Sequence, residues 1–128
     1  MNFNKITSSH LDYFKRILNQ KYVHFDTDSL QNYSHDETED LVYLPEVVIK
    51  PSTTEEVSKV LAYCNSNNIS VTPCGARTGL SGGSLPICGG VALSMERFNA
   101  IIDIDERNLQ ATVEPGVINQ VFKDAVKE

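Results

Sequence analysis

Residues 44–74, LPEVVIKPSTTEEVSKVLAYCNSNNISVTPC, decide the fold. A short β-branched run closed by Pro51 predicts a buried strand. Thr53 and Glu56 then form an S/T-x-x-E capping box, which predicts the start of a helix. The apolar positions of this helix repeat at helical spacing: Val57, Val60, Leu61 and Cys64. Because residues 69–73, ISVTP, predict a second strand, we expect a βαβ unit with two parallel strands.

A glycine-rich stretch, TPCGARTGLSGGSLP at residues 72–86, begins where the second strand ends. It holds four of the chain's seven glycines. The carboxyl end of a parallel strand is where α/β folds tend to bind ligands. The stretch contains no lysine and no G-x-G-x-x-G, so neither the P-loop pattern nor the Rossmann pattern matches.

Two interpretations of this stretch stay open from its residues alone. Successive backbone N–H groups could line a concavity that binds an anion, and Gly75 and Gly79 would permit positive φ and close approach. Thr78 and Ser81 would then add hydroxyl donors, and Arg77 a cation suited to phosphate. Alternatively, the stretch is a mobile surface loop. Single side chains of the stretch also have two interpretations each. Arg77 could bind a phosphate or pair with Asp103 or Asp105. Cys74 could act as a reactive thiol or contribute only its backbone.

The flanking segments predict further helices and strands. Residues 8–20 predict a helix capped by Ser8 or Ser9, and the acidic stretch at 26–40 predicts a surface segment without periodicity. Residues 89–95 predict a third strand, and residues 101–113 predict a hairpin whose turn is DERN. A final helix over residues 117–128 would place Phe122 in the core. It reaches Glu128 without a stop signal, so we expect a truncated chain.

Composition narrows the class of protein. The 128 residues fit one domain, and a formal net charge of -6 argues against nucleic-acid binding. The polar N-terminus is unlike a secretory signal, so we expect a cytoplasmic protein. The three cysteines, Cys64, Cys74 and Cys88, include no C-x-x-C, which predicts free thiols and no metal site.

Four motifs in one order resemble the FAD-linked oxidase family of the vanillyl-alcohol oxidase or PCMH type. They are P-x-[ST]-x-x-[DE]-V at the helix start, P-x-G-x-x-T-G in the loop, the S-G-G that follows it, and a late P-G-V. The chain is most similar to the branch that contains the glycolate oxidase D-subunit and D-lactate dehydrogenase. The resemblance begins at about Tyr33 and covers the N-terminal part of such enzymes.

The resemblance implies an α+β fold: the N-terminal half of a PCMH-type FAD-binding domain, with a small mixed sheet, a parallel βαβ start and helices packed against it. It divides the chain into an N-terminal helical segment (1–32) and an apparently truncated subdomain of the FAD-binding domain (33–128). It also implies a set of FAD-binding residues, with backbone 74–80 on the diphosphate: Cys74, Gly75, Ala76, Arg77, Thr78, Gly79, Leu80, Gly82, Gly83, Ser84, Pro115, Gly116 and Val117.

Two departures from the family pattern bear on cofactor binding. Members often carry a basic residue where Cys74 stands and a small one where Arg77 stands, so the cation has moved along the loop. The loop has no histidine, which implies non-covalent FAD. Catalytic residues would lie beyond residue 128, so we expect the chain alone to bind FAD weakly or not at all and to be inactive.

The resemblance implies a parent enzyme that oxidises a D-2-hydroxy acid by hydride transfer to FAD. Its electrons would pass to a quinone, a cytochrome or another carrier. Two alternatives remain: a stand-alone nucleotide- or anion-binding module without redox activity, and a purely structural fragment. A bare sheet edge would also allow the fragment to form a homodimer.

Overall fold

A computed structural model describes residues 2–127 of the chain. The main sheet has four strands: β1 (Val23–His24), β2 (Val47–Ile49), β3 (Val71–Cys74) and β4 (Val91–Ser94). Their order across the sheet is β1-β2-β4-β3, with β2, β4 and β3 parallel and β1 antiparallel to β2. The expected α+β fold with a mixed sheet and a parallel βαβ start is confirmed. β4 lies between the two strands of that unit.

The other elements lie around this sheet. The helices are α1 (Ser8–Leu18), α2 (Thr27–Asn32), α3 (Thr54–Ser66) and α4 (Asn119–Ala125), with a 3-10 turn at Gln20–Tyr22. The strands β5 (Ile101–Asp105) and β6 (Gln110–Val113) form a separate antiparallel hairpin. No helix within residues 2–127 is long and apolar enough to cross a bilayer.

The start of α3 follows its predicted capping signal with one change. The Thr53 hydroxyl accepts a hydrogen bond from the Glu56 N–H at 3.2 Å, as expected. The Glu56 carboxylate accepts from the Ser52 N–H at 2.7 Å, one residue before the N-cap. The helix buries Val60 and Cys64, but Leu61 is 45% exposed. The predicted apolar stripe is therefore wrong at Leu61.

The main core lies between the sheet and the two helices α1 and α3. Phe14 of α1 and Val60 of α3 are fully buried against Ile49 of β2. The predicted cap of α1 at Ser8 or Ser9 is wrong, because the preceding Thr7 accepts from the His10 N–H. This core joins residues on both sides of the boundary between segments 1–32 and 33–128, and that division stays a prediction.

The hairpin and α4 pack less tightly. The hairpin turn lies at residues 106–109, one residue later than predicted. Phe122 is half-buried and lines an open pocket of about 410 Å³ between the hairpin and α4, so its predicted core position is wrong. The last helix covers Asn119–Ala125, so the prediction of a helix over residues 117–128 is wrong at both ends; Glu128 itself lies outside the described residues. Several apolar side chains of this region are exposed: Ile102, Leu109, Val113, Ile118, Val121 and Val126.

Candidate functional site

The glycine-rich loop leaves β3 at the edge of the sheet where the three parallel strands end. The Met95 N–H donates to the Cys74 carbonyl at 2.9 Å, which ties the start of the loop to the end of β4. Beyond this bond the backbone is solvent-accessible. Of the predicted FAD-binding residues in the loop, these are exposed: Gly75, Ala76, Thr78, Gly79, Leu80 and Gly83. The predicted loop therefore presents its backbone on the surface at the carboxyl ends of the strands.

The main-chain donors of this loop have no partner in the protein. Among residues 2–127, no acceptor within hydrogen-bond distance receives the N–H of any residue from 75 to 81, or of Gly83 or Ser84. The loop does accept hydrogen bonds: the Gly79 carbonyl receives the Glu37 N–H at 3.1 Å, and the Gly82 carbonyl receives the Leu85 N–H. A run of unpaired amide donors is the chemical requirement for a backbone anion site.

Three loop glycines serve no packing purpose in the chain. A Cβ added at Gly75, Gly79 or Gly83 would meet nothing within 4 Å. Gly75 and Gly79 do not use the positive-φ freedom that glycine offers: Arg77 at +58° and Gly82 at +72° are the loop residues in that region. Neither strain nor crowding inside the protein therefore accounts for glycine at these three positions. The open space leaves room for a ligand to approach the bare backbone.

Gly116 differs from these loop glycines. A Cβ there would lie 2.3 Å from the Met95 carbonyl oxygen and 2.7 Å from that of Phe98, so packing alone requires glycine. Its N–H donates to the Phe98 carbonyl at 2.7 Å. Through Met95, the predicted second wall at Pro115, Gly116 and Val117 lies at the same end of the sheet as the loop.

Cys74 is an inert thiol in this structure. Burial raises its pKa to about 11, although the charge of Arg77 acts in the opposite direction. Its Sγ donates to the carbonyls of Thr72 and Ser84 at 3.5 and 3.6 Å. These contacts tie both ends of the loop to β3. Of the two alternatives for Cys74, the reactive thiol does not fit these surroundings, and the role through its backbone stays a prediction.

The acidic stretch at 26–40 packs beneath the glycine loop, so its prediction as a surface segment is wrong in part. Tyr33, Ser34 and Asp36 are 7%, 4% and 7% exposed. The Tyr33 ring packs on the second face of the sheet beside Val48. The Asp36 carboxylate accepts from the Thr38 N–H, and this bond helps to hold the pKa of Asp36 below its ordinary value. A surface prediction failed because buried residues in an irregular segment show no periodicity.

Arg77 lies across this segment. Its guanidinium carbon is 4.0 Å from the centroid of the Tyr33 ring, and a terminal nitrogen donates to the Asn32 carbonyl. The alternative pairing with Asp103 or Asp105 does not form in the described part of the chain. Its predicted contact with phosphate stays a prediction.

A polar cluster beneath the loop was not predicted from the sequence. The Tyr33 hydroxyl lies 2.9 Å from both Ser94 Oγ and Glu96 Oε1, and the Lys50 ammonium is 2.7 Å from Glu96. Burial raises the pKa of Tyr33. Burial alone would also raise the pKa of Glu96, but hydrogen bonds from Lys50 and Tyr33 outweigh it and hold that pKa low. These residues lie far apart in sequence and carry no shared motif.

Unsatisfied polar atoms concentrate at the contact between loop and acidic segment. Asp36 Oδ2, Thr38 Oγ1 and Arg77 Nε are the buried side-chain atoms without a hydrogen-bond partner in residues 2–127. Two of these atoms have polar neighbours within the protein, because the Thr38 side chain and the Gly82 N–H help to lower the pKa of Asp36. Two open concavities of about 410 and 390 Å³ lie elsewhere, and no triad of metal-ligating side chains occurs among the described residues.

Comparisons with known proteins match most of the chain. Residues 45–128 match a family model described as FAD binding domain. A D-lactate dehydrogenase from Anaerostipes hadrus is 38% identical over 130 residues, which cover 98% of this chain and 27% of that protein. Glycolate oxidase subunit GlcD of Bacillus subtilis (strain 168) is 43% identical over 86 residues, 67% of this chain and 18% of that protein.

A solved structure gives the same fold. An alkyldihydroxyacetonephosphate synthase superposes with a TM-score of 0.83 over 99% of this chain and 26% of its own, at 15% identity. At that identity the likeness concerns the fold alone. The chain thus spans between 18% and 27% of the length of these matched proteins.

Proposed function

This chain belongs to the family of PCMH-type FAD-binding domains, and from that premise we propose that residues 74–84 hold the diphosphate of FAD through backbone amides. The observation that carries the proposal is the loop itself. The N–H groups of residues 75–81, 83 and 84 have no acceptor among residues 2–127, and Gly75, Gly79 and Gly83 leave open space where side chains would stand. A diphosphate needs several donors at close range, and bare backbone supplies them without an intervening Cβ.

The proposed enzyme oxidises a small D-2-hydroxy acid. The names of two relatives, a D-lactate dehydrogenase and a glycolate oxidase subunit, support this substrate class without choosing between its members. When bound, FAD would supply the oxidant, taking a hydride from the α-carbon while the substrate hydroxyl loses a proton to give a 2-oxo acid. The residues of this chain bind and orient the cofactor. Because the loop contains no histidine, the proposal includes non-covalent attachment.

The 128-residue chain by itself should bind FAD weakly and turn over no substrate. Ligand sites bury about 70–90% of a small ligand, whereas this loop is open surface in residues 2–127. We expect a dissociation constant above about 1 µM, measured as a change in flavin fluorescence. ADP and inorganic pyrophosphate should compete with FAD, and riboflavin should not. Competition by riboflavin alone, or no binding at millimolar FAD, would contradict the proposed diphosphate site.

The redox part of the proposal needs a separate test. Reading the gene past the codon for Glu128 distinguishes an enzyme from a stand-alone nucleotide-binding module. We expect the reading frame to continue, and the longer protein to reduce a dye acceptor with D-lactate or glycolate as donor. A stop codon there, with ADP bound as tightly as FAD, would favour the stand-alone module.

A further inference from the structure

We propose that Tyr33 and Arg77 form a latch that fixes the shape of the glycine loop before any ligand binds. Arg77 is in the middle of the loop, and its guanidinium carbon lies 4.0 Å from the centroid of the Tyr33 ring. It also donates to the Asn32 carbonyl at the end of α2. Both contacts are made to a segment more than forty residues earlier in the chain, so they tie the loop to its support.

Tyr33 is itself held rigidly, which is what a latch requires. Its side chain is 7% exposed, and its hydroxyl contacts Ser94 at the end of β4 and the carboxylate of Glu96. Glu96 in turn pairs with Lys50, the residue after β2. The Tyr33 ring is therefore held at the ends of two neighbouring parallel strands. Because Arg77 contacts this ring, the loop is held there as well.

The backbone of Arg77 supports a positioning role over a direct phosphate contact. Its φ of +58° is unfavourable for a residue with a side chain, and the contacts to Tyr33 and Asn32 offset that cost. A second tie, from the Glu37 N–H to the Gly79 carbonyl, lies two residues later. The N–H groups of residues 75–81, 83 and 84 have no acceptor within the described residues 2–127. The latch thus acts on FAD through the loop backbone, which makes Tyr33 and Arg77 positioning residues.

Limited trypsin digestion of the ligand-free protein tests the latch without relying on the proposed function. Trypsin must draw the Arg77 side chain into its own pocket, so stacking on Tyr33 should protect the bond after Arg77. We expect Tyr33→Ala and Arg77→Lys to raise cleavage at residue 77 about tenfold, since proteolysis follows the open population. Tyr33→Phe keeps the ring under Arg77 but loses the hydroxyl contacts to Ser94 and Glu96, so it should restore part of the protection. Cleavage after Arg107, in the exposed hairpin turn, is the internal control and should not change.

FAD titration of the same variants separates positioning from charge neutralisation and rests on the proposed function. If Arg77 positions the loop, Arg77→Lys should weaken FAD binding about tenfold, nearly as much as Arg77→Gly, while Tyr33→Phe, which keeps the ring, should weaken it less. If Arg77 instead neutralises phosphate, Arg77→Lys should keep the affinity and Arg77→Gly should reduce its salt dependence. Wild-type protection from trypsin in Arg77→Lys would overturn the latch. Normal digestion results with no FAD binding by the wild type would overturn the proposed function alone.

Discussion

Replacing single glycines by alanine separates a ligand-binding role from a packing role. At Gly79 an added Cβ meets nothing within 4 Å, and the backbone lies outside the positive-φ region. At Gly116 the same methyl would lie 2.3 Å from one carbonyl oxygen and 2.7 Å from another. The two substitutions are chemically identical, so any difference between them comes from the surroundings of each site.

The two substitutions should shift stability in opposite directions. Gly79→Ala should leave the free energy of unfolding unchanged or raise it by about 0.4–1 kcal/mol, because alanine restricts the unfolded chain. That gain corresponds to a rise in Tm of about 2–5 °C for a domain of this size. Gly116→Ala should cost about 1–3 kcal/mol or more, since backbone atoms must move to make room. Thermal unfolding followed by circular dichroism measures both.

Ligand affinity should change at the loop glycine despite its unchanged stability. A methyl at Gly79 would occupy the space through which the diphosphate approaches the amides, and we expect about tenfold weaker FAD binding, or ~1.4 kcal/mol. Gly75→Ala should behave in the same way. The reasoning would be refuted if Gly79→Ala lowered Tm as much as Gly116→Ala, or if it left the FAD dissociation constant unchanged.

Two further measurements test other parts of the account. Burial raises the pKa of Cys64 and of Cys74 to about 11. A thiol reagent at neutral pH should therefore label Cys88 alone in the native protein and all three cysteines after unfolding. Rapid labelling of two or more thiols in the native protein would contradict the structure. The pKa of Glu96 lies below its ordinary value of 4.5, so its contribution to stability should be complete above pH 4.5 and should disappear as the pH falls through the folded-state pKa. Urea unfolding between pH 7 and pH 3 should therefore show that Glu96→Gln loses less unfolding free energy at acid pH than the wild type does. Equal losses in both proteins would count against the Lys50–Glu96–Tyr33 cluster.

The βαβ unit could be predicted because its signals are local. The capping residue Thr53, the helical spacing of Val60 and Cys64, and a β-branched run at β2 all lie within about one turn or strand of the structure they specify. The insertion of β4 between β2 and β3 has no such local signal. Strand order depends on which faces α1 and α3 cover, and the sequence prediction left it open.

The support of the glycine loop could not be predicted for a related reason. Tyr33 reaches Ser94 across 61 positions of sequence, and no periodic pattern connects them. The identity of the positive-φ residues was likewise hidden, because glycine permits that conformation without requiring it. Arg77 adopts it through contacts with residues that the sequence prediction had assigned to a surface segment.

The central claim, that amides of the glycine loop grip the cofactor's diphosphate, is tested most directly by NMR titration of the ¹⁵N-labelled protein with FAD. Weak binding does not prevent this measurement, because amide chemical shifts change progressively during a titration when the ligand exchanges rapidly. The account predicts that the largest shifts fall on the amides of residues 75–80 and 82–84, and that pyrophosphate reproduces most of them. Saturable FAD binding that leaves those amides unmoved while others shift would contradict it.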